Sequence, residues 1–193
     1  TAARATVTLT NLDSSILSIP AGTTFTSTDS LNGITYSFIP TVEVTETDLP
    51  FIVYQGSLKT RKYVYAGGLD NERFELPDTD IDISQITVTV KPNINSTQQE
   101  TYARFTELSE LDGNSAVYFI TENPNGKYEI AFGDNIIGKR PAAASLIEIT
   151  YLVTDGADAN GLSAFTTSDS LFDSVTNPTI TPSSAASGGG NRE

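Results

Sequence analysis

Apolar and polar residues alternate along much of this chain. Thr6-Val7-Thr8-Leu9-Thr10, Ile86-Thr87-Val88-Thr89-Val90 and Ile147-Glu148-Ile149-Thr150-Tyr151 each repeat with a period of two. That spacing sends one set of side chains to a core and the other to water, the pattern of half-buried strands. Further strands are predicted over Ile34–Ile39, Val42–Thr45, Phe51–Tyr54, Lys59–Tyr65, Arg73–Leu76, Val117–Thr121 and Tyr128–Phe132.

Turn residues separate these segments. Asn32-Gly33 and Asn125-Gly126 suit hairpins whose central residues need positive φ, and the second predicts that the Val117 and Tyr128 strands pair. Asp112-Gly113 and Gly67-Gly68 mark other turns, and Pro20, Pro40, Pro50, Pro77 and Pro92 fall at strand ends, where a missing N–H is tolerated. Helical spacing is confined to Phe105, Leu108 and Leu111, and it fits a short helix or a strand followed by a loop equally well. Without long βαβ alternation a parallel α/β sheet is disfavoured. The fold expected is mainly β: antiparallel sheets or sandwich-like modules with few or no helices.

From Thr166 to Glu193 the composition shifts to Ser, Thr, Pro, Gly and Asn, with Leu171, Phe172, Val175 and Ile180 the only large apolar side chains. Such a stretch cannot build its own core. It reads as a flexible C-terminal arm or linker that becomes ordered only against a partner. The organisation expected is therefore a first β section over 1–66, a second over 67–165 and the arm over 166–193.

Composition removes several kinds of chemistry. The 193 residues include no Cys and no His, so thiolate nucleophiles, disulfides, His-ligated zinc and a Ser-His-Asp triad are impossible within the chain. The net charge of -13 repels phosphate backbones and argues against nucleic acid as a partner. No apolar run approaches the roughly 18 residues of a membrane helix. Met is also absent, so Thr1 fits either removal of an initiator or a piece of a longer chain.

Three motifs resemble binding sites. Gly133-Asp134-Asn135-Ile136-Ile137-Gly138-Lys139 follows most of a P-loop, but Arg140 and Pro141 stand where a magnesium-binding hydroxyl and a helix are needed. A Gly-rich turn with a basic tip is the simpler expectation. Asp78-Thr79-Asp80-Ile81-Asp82 begins like a calcium loop, yet Ile83 and Thr89 occupy the positions that require Gly and Glu; solvated carboxylates at a strand edge are expected instead. Asp158-Ala159-Asn160-Gly161 is a weaker partial match. No metal or cofactor site is expected. Paired carboxylates of the glycosidase kind remain conceivable, but the chain has no Trp to stack on a sugar.

Four patterns, in order, resemble the baseplate J-like family, which includes the baseplate wedge protein of T4-like contractile-tailed bacteriophages. They are Ile19-Pro20-Ala21-Gly22-Thr23-Thr24-Phe25; Val53-Tyr54-Gln55-Gly56 leading into the Lys59 strand; Tyr128 to Pro141 around Phe132-Gly133-Asp134; and Ile147 to Tyr151 followed by Gly156, Asn160 and Gly161. In the third, Asn135 replaces the family's usual Gly and tolerates the same left-handed geometry. The resemblance spans about residues 3–165. It implies a virion structural protein and a piece of a longer chain with flanking domains. It further implies assembly in the host cytoplasm with other wedge subunits, and with a second copy, into the ring around the tail hub. Neither catalysis, a small-molecule substrate nor membrane binding is expected. Gly22, Phe25, Gly56, Phe132, Gly133 and Gly138 are expected to shape turns rather than hold a ligand. A receptor- or carbohydrate-binding tail module is the alternative, and a cell-wall hydrolase a third reading.

Overall fold

In chain order the strands are β1 (Arg4–Thr10), β2 (Phe25–Ser27), β3 (Ser37–Ile39), β4 (Phe51–Gln55), β5 (Ser57–Val64), β6 (Arg73–Glu75) and β7 (Ile81–Lys91). They continue with β8 (Glu100–Arg104), β9 (Val117–Glu122), β10 (Tyr128–Phe132), β11 (Leu146–Val153), β12 (Phe165–Thr166) and β13 (Thr179–Pro182). The structure, a computed structural model, describes residues 1–10, 16, 18–45, 50–67, 72–106, 111–173 and 178–190. Among these, helical geometry is confined to single 3-10 turns at Gly156–Ala159 and Ser170–Phe172. The protein is mainly β.

Two units are interleaved along the chain. One comprises residues 1–58, 80–85 and 152–193, the other 59–79 and 86–151; three of the four boundaries fall inside β5, β7 and β11, and the fourth just before β7. A sequential division at residue 66 or 67 does not reproduce them, because a turn signal such as Gly67 marks a local reversal and not the end of a core. Gly68 lies outside the described residues.

The first unit is built on a six-stranded sheet ordered β12-β2-β3-β4-β1-β13, antiparallel at every pair. In β1, Ala5, Val7 and Leu9 point inward and the intervening threonines outward, as their alternation predicts. The edge strands β12 and β13 lie beside each other, so the sheet curls around one core. Val7, Leu9, Phe25, Phe38, Val53, Leu162 and Phe165 are buried in it. The rings pack edge-on or tilted, as aromatic quadrupoles favour: Phe38 and Phe165 have centroids 4.9 Å apart, and Phe25 touches both Phe51 and Phe172.

The described residues of the segment 166–193 belong to this unit. Here the burial expected from a partner is supplied by the chain's own first strand: β13 pairs with β1, setting Ile180 opposite Leu9, and Phe172 is buried against Phe25. A few apolar side chains that cannot form a core can still complete an existing one. Val175 lies outside the described residues. Beyond β13, Arg4 and Ser187 exchange backbone hydrogen bonds, and Thr1 and Gly190 do the same. The carboxamide of Asn160 donates to the carbonyl of Gly189 and accepts its N–H, as a paired strand residue would.

The Asp78–Asp82 segment departs most from expectation at its end. Asp82 is only 2% exposed. Its carboxylate accepts the Ala2 N–H at 2.7 Å and both the N–H and hydroxyl of Ser84 at 2.9 and 2.7 Å. Burial alone would push its pKa up, but these donors outweigh burial and hold it below the usual carboxylate range. A carboxyl lowered by folding stabilises the fold above its unfolded pKa, and the contribution is lost as pH falls through the folded value. Asp82→Asn is therefore expected to destabilise the chain by about 1–3 kcal/mol at neutral pH. In urea melts repeated down the pH scale, the gap between parent and variant should shrink below the carboxylate range; a gap independent of pH would show that the charge is immaterial.

The second unit carries most of a seven-stranded sheet ordered β5-β11-β7-β8-β9-β10-β6. It is mixed, since β8 runs parallel to β9 while β9 and β10 form the expected hairpin. Residues 100–104 are thus strand, and Leu108 lies outside the described residues. In the hairpin turn only Gly126 is left-handed; Asn125 is not, because Gly126 N–H donates to the Asn123 carbonyl, which makes Pro124 and Asn125 the central pair of the turn and places Gly126 after it. At Asn32-Gly33, in the first unit, both residues have positive φ, at 54° and 80°. The edges β5 and β6 of the second sheet meet through side chains: the Tyr63 ring packs on Phe74, and its hydroxyl donates to the Glu75 carbonyl. Charged side chains line β5, with Lys59 on Asp78 and Lys62 on Glu148 of the neighbouring β11, 2.6 Å away.

Val42–Thr45, expected as a strand, makes only one bridge, between Val44 and Ile19, and Ile34 bridges Leu31 before β3 begins at Ser37. Short alternating runs without a continuous neighbour do not form a ladder.

Candidate interaction site: the loop after β10

Phe132, Gly133 and Gly138, three of the six residues expected to shape turns, are brought together in the second unit. Phe132 ends β10, and its ring meets Tyr65, Phe74 and Tyr102, with Tyr102 5.2 Å away edge-on. Gly133 follows because a Cβ there would strike the backbone carbonyl of Gly138. Its φ is not positive, so crowding and not left-handed geometry is what requires glycine. Gly138 is left-handed, with φ 81°, and a Cβ on it would lie 2.8 Å from Val117.

The loop between them is tied down by its own polar groups. Asp134 Oδ1 accepts the N–H groups of Ile136 and Ile137, each at 2.8 Å. Those two bonds hold the Asp134 carboxyl below the usual range. Asn135 takes the left-handed φ of 68°, donates its N–H to the Gly138 carbonyl and accepts the Arg140 N–H on its side chain. A second turn braces the first: Gly138 N–H donates to the Asp112 carbonyl and Lys139 N–H to that of Ser115. Gly113 packs so closely on Asn135 that a side chain would collide.

This geometry accounts for the P-loop likeness. A phosphate cradle needs backbone N–H groups pointing at an anion and a helix behind them. Here the N–H groups of residues 135–140 are spent inside the loop or on its neighbour, and the chain continues through a turn into β11. The Lys139 ammonium lies 2.6 Å from Glu100.

The outcome is a fixed loop with apolar side chains in water. Ile136 is 76% exposed and Ile137 46%. Beside Ile136 a cleft of about 380 Å³ is lined by Tyr65, Glu72, Phe132, Gly133, Asp134, Ile136 and Arg140. The glycines announce the turn in the sequence, whereas the exposure of these isoleucines emerges only in the fold. The available signal was two consecutive apolar residues inside a turn, following an Asp-Asn pair able to fold the loop back on itself.

The other expected positions lie in the first unit. Gly22 turns the chain with φ 85° and donates its N–H to the Pro40 carbonyl. Phe25 is fully buried. Gly56, with φ 134°, presses on the Val153 backbone. Beside it stands a polar cluster that the sequence did not suggest. Gln55 accepts the Thr154 hydroxyl at 2.6 Å and the Asp155 N–H at 2.8 Å, and donates to the Asp155 carboxylate at 2.7 Å. Every polar atom of that amide side chain is engaged, so the cluster fixes the turn after β11. Among the described residues, no group of three acidic side chains could hold a metal ion. Asp78 is bound to Lys59 and to the Tyr151 hydroxyl.

In comparisons with protein-family models and with curated proteins, nothing matches this chain.

Proposed function

We propose that this chain is a structural module of a contractile-tail baseplate wedge, acting by binding other wedge subunits and not by catalysis. The order of the four sequence patterns supports the reading, and the observation that carries it is the loop after β10. Holding Ile136 and about half of Ile137 in water on a braced loop brings little burial within the chain. A preorganised apolar tip gains by entering a partner, because little ordering cost is left to meet on binding. Subunits held at high local concentration can rely on several such modest contacts. In this reading the partners are other wedge subunits and a second copy of the chain, and the module resides in the virion.

Replacing both isoleucines, Ile136→Ser with Ile137→Ser, is expected to leave the melting curve close to the parent's, since Ile136 is largely exposed and Ile137 about half exposed. Co-sedimentation with cognate wedge subunits should fall by about tenfold or more, the effect of losing a docking hot spot. Unchanged co-sedimentation would remove the loop from the interface. If the parent itself binds no wedge subunit but binds a sugar on a glycan array, the receptor-binding alternative replaces this proposal.

A further inference from the structure

The chain contains three Asn-Gly pairs, at 32–33, 125–126 and 160–161. Such pairs can lose ammonia spontaneously, because glycine leaves its own nitrogen unobstructed. The Gly nitrogen attacks Cγ of the preceding Asn, a C–N bond forms, the bond to the side-chain nitrogen breaks and ammonia leaves. Water then opens the cyclic imide at either carbonyl to give aspartate or isoaspartate, and nothing is oxidised or reduced. The rate depends on how free the Asn carboxamide and the Gly N–H are.

The three sites differ sharply. At Asn160, the carboxamide is clasped in both directions by Gly189, and Gly161 N–H donates to the Ala186 carbonyl at 2.8 Å. At Asn125, Gly126 N–H donates to the Asn123 carbonyl at 2.9 Å. At the hairpin tip, Asn32 and Gly33 are both exposed. The hydrogen bonds closing that turn run between Leu31 and Ile34 and leave the Gly33 nitrogen out, and the space around Gly33 is open.

We propose that Asn32 is a spontaneous modification site, converting to aspartate and isoaspartate while the fold protects Asn125 and Asn160. The products differ in consequence. Aspartate retains the turn and adds a negative charge. Isoaspartate inserts an extra carbon into the backbone, which breaks the reciprocal Leu31–Ile34 pairing.

The test is to hold the full chain at mildly alkaline pH in isotopically labelled water and follow each site by peptide mass spectrometry. Acid at residue 32 should form first. Residue 160 should lag by roughly tenfold or more, since its hydrogen bonds must open before it reacts. A parallel sample in urea should react at comparable rates at all three sites. Gly33→Ala should slow the reaction at residue 32 in both samples, by obstructing the nitrogen. The proposal is overturned if residue 125 or 160 keeps pace with residue 32 in the folded chain. It is equally overturned if the order is unchanged in urea, or if Asn32 stays intact when folded but not when unfolded.

Discussion

Phe25→Ala should lower the stability of the first unit by about 3–5 kcal/mol, the range for removing a buried aromatic ring. Phe25 is fully buried on β2, a strand of three residues. So short a strand has few backbone bonds of its own, and its position rests on the side chain that it sends into the core. The same ring meets Phe51 on β4 and Phe172 from the C-terminal segment. Its loss therefore leaves a cavity among three elements at once. Urea titration followed by circular dichroism should show the midpoint fall, and protease should cut more readily around Phe172. A variant that melts like the parent would mean that the core collapses into the space and that Phe25 is dispensable.

Gly56→Val should be comparably severe, for a different reason. At φ 134° a residue with a side chain is strained, a cost of about 1–3 kcal/mol. A Cβ would also run into the Val153 carbonyl and crowd Leu152, and overpacking against backbone costs about 1–3 kcal/mol more. Gly22 provides the contrast. It too has positive φ, but a Cβ there would meet only a Leu58 methyl at 3.9 Å. Gly22→Val should accordingly show the backbone cost without the collision. Equal melting points for the two variants would show that strain alone governs both turns.

What the sequence makes legible follows from the range of the forces involved. The strands β1, β7 and β11 repeat apolar residues over five or more positions against a continuous neighbour, so their periodicity is visible. Of the short strands, β2, β12 and β13 have two to four residues each, too few for any period, and they exist because Phe25, Phe165 and Ile180 meet a core built by distant segments. The C-terminal segment looks like an arm for the same reason, since nothing within it reveals that β1 has an edge to offer. Asp82 looks like a solvated carboxylate because its decisive partner, the Ala2 N–H, is far away in sequence. In the loop after β10, the turn-forming residues Asp134, Asn135 and Gly138 can be read locally, and their hydrogen bonds are local. That Ile136 and Ile137 are left outside is a property of the fold.

The paired ends also determine how the first unit would respond to mechanical load. Thr1 and Gly190 face each other across an antiparallel ladder that continues through Arg4 and Ser187 into β1 and β13. Tension applied at these two points acts across the strands, so the bonds are loaded one pair at a time and the ladder opens as a zipper at low force. Tension along β1 alone would load its bonds to β4 and β13 together and meet a shear barrier. Drawn apart by its ends, the unit would lose β13 and the turns around Phe172 first and extend as a compliant tether, keeping β1 paired to β4 until the applied force reaches that second ladder.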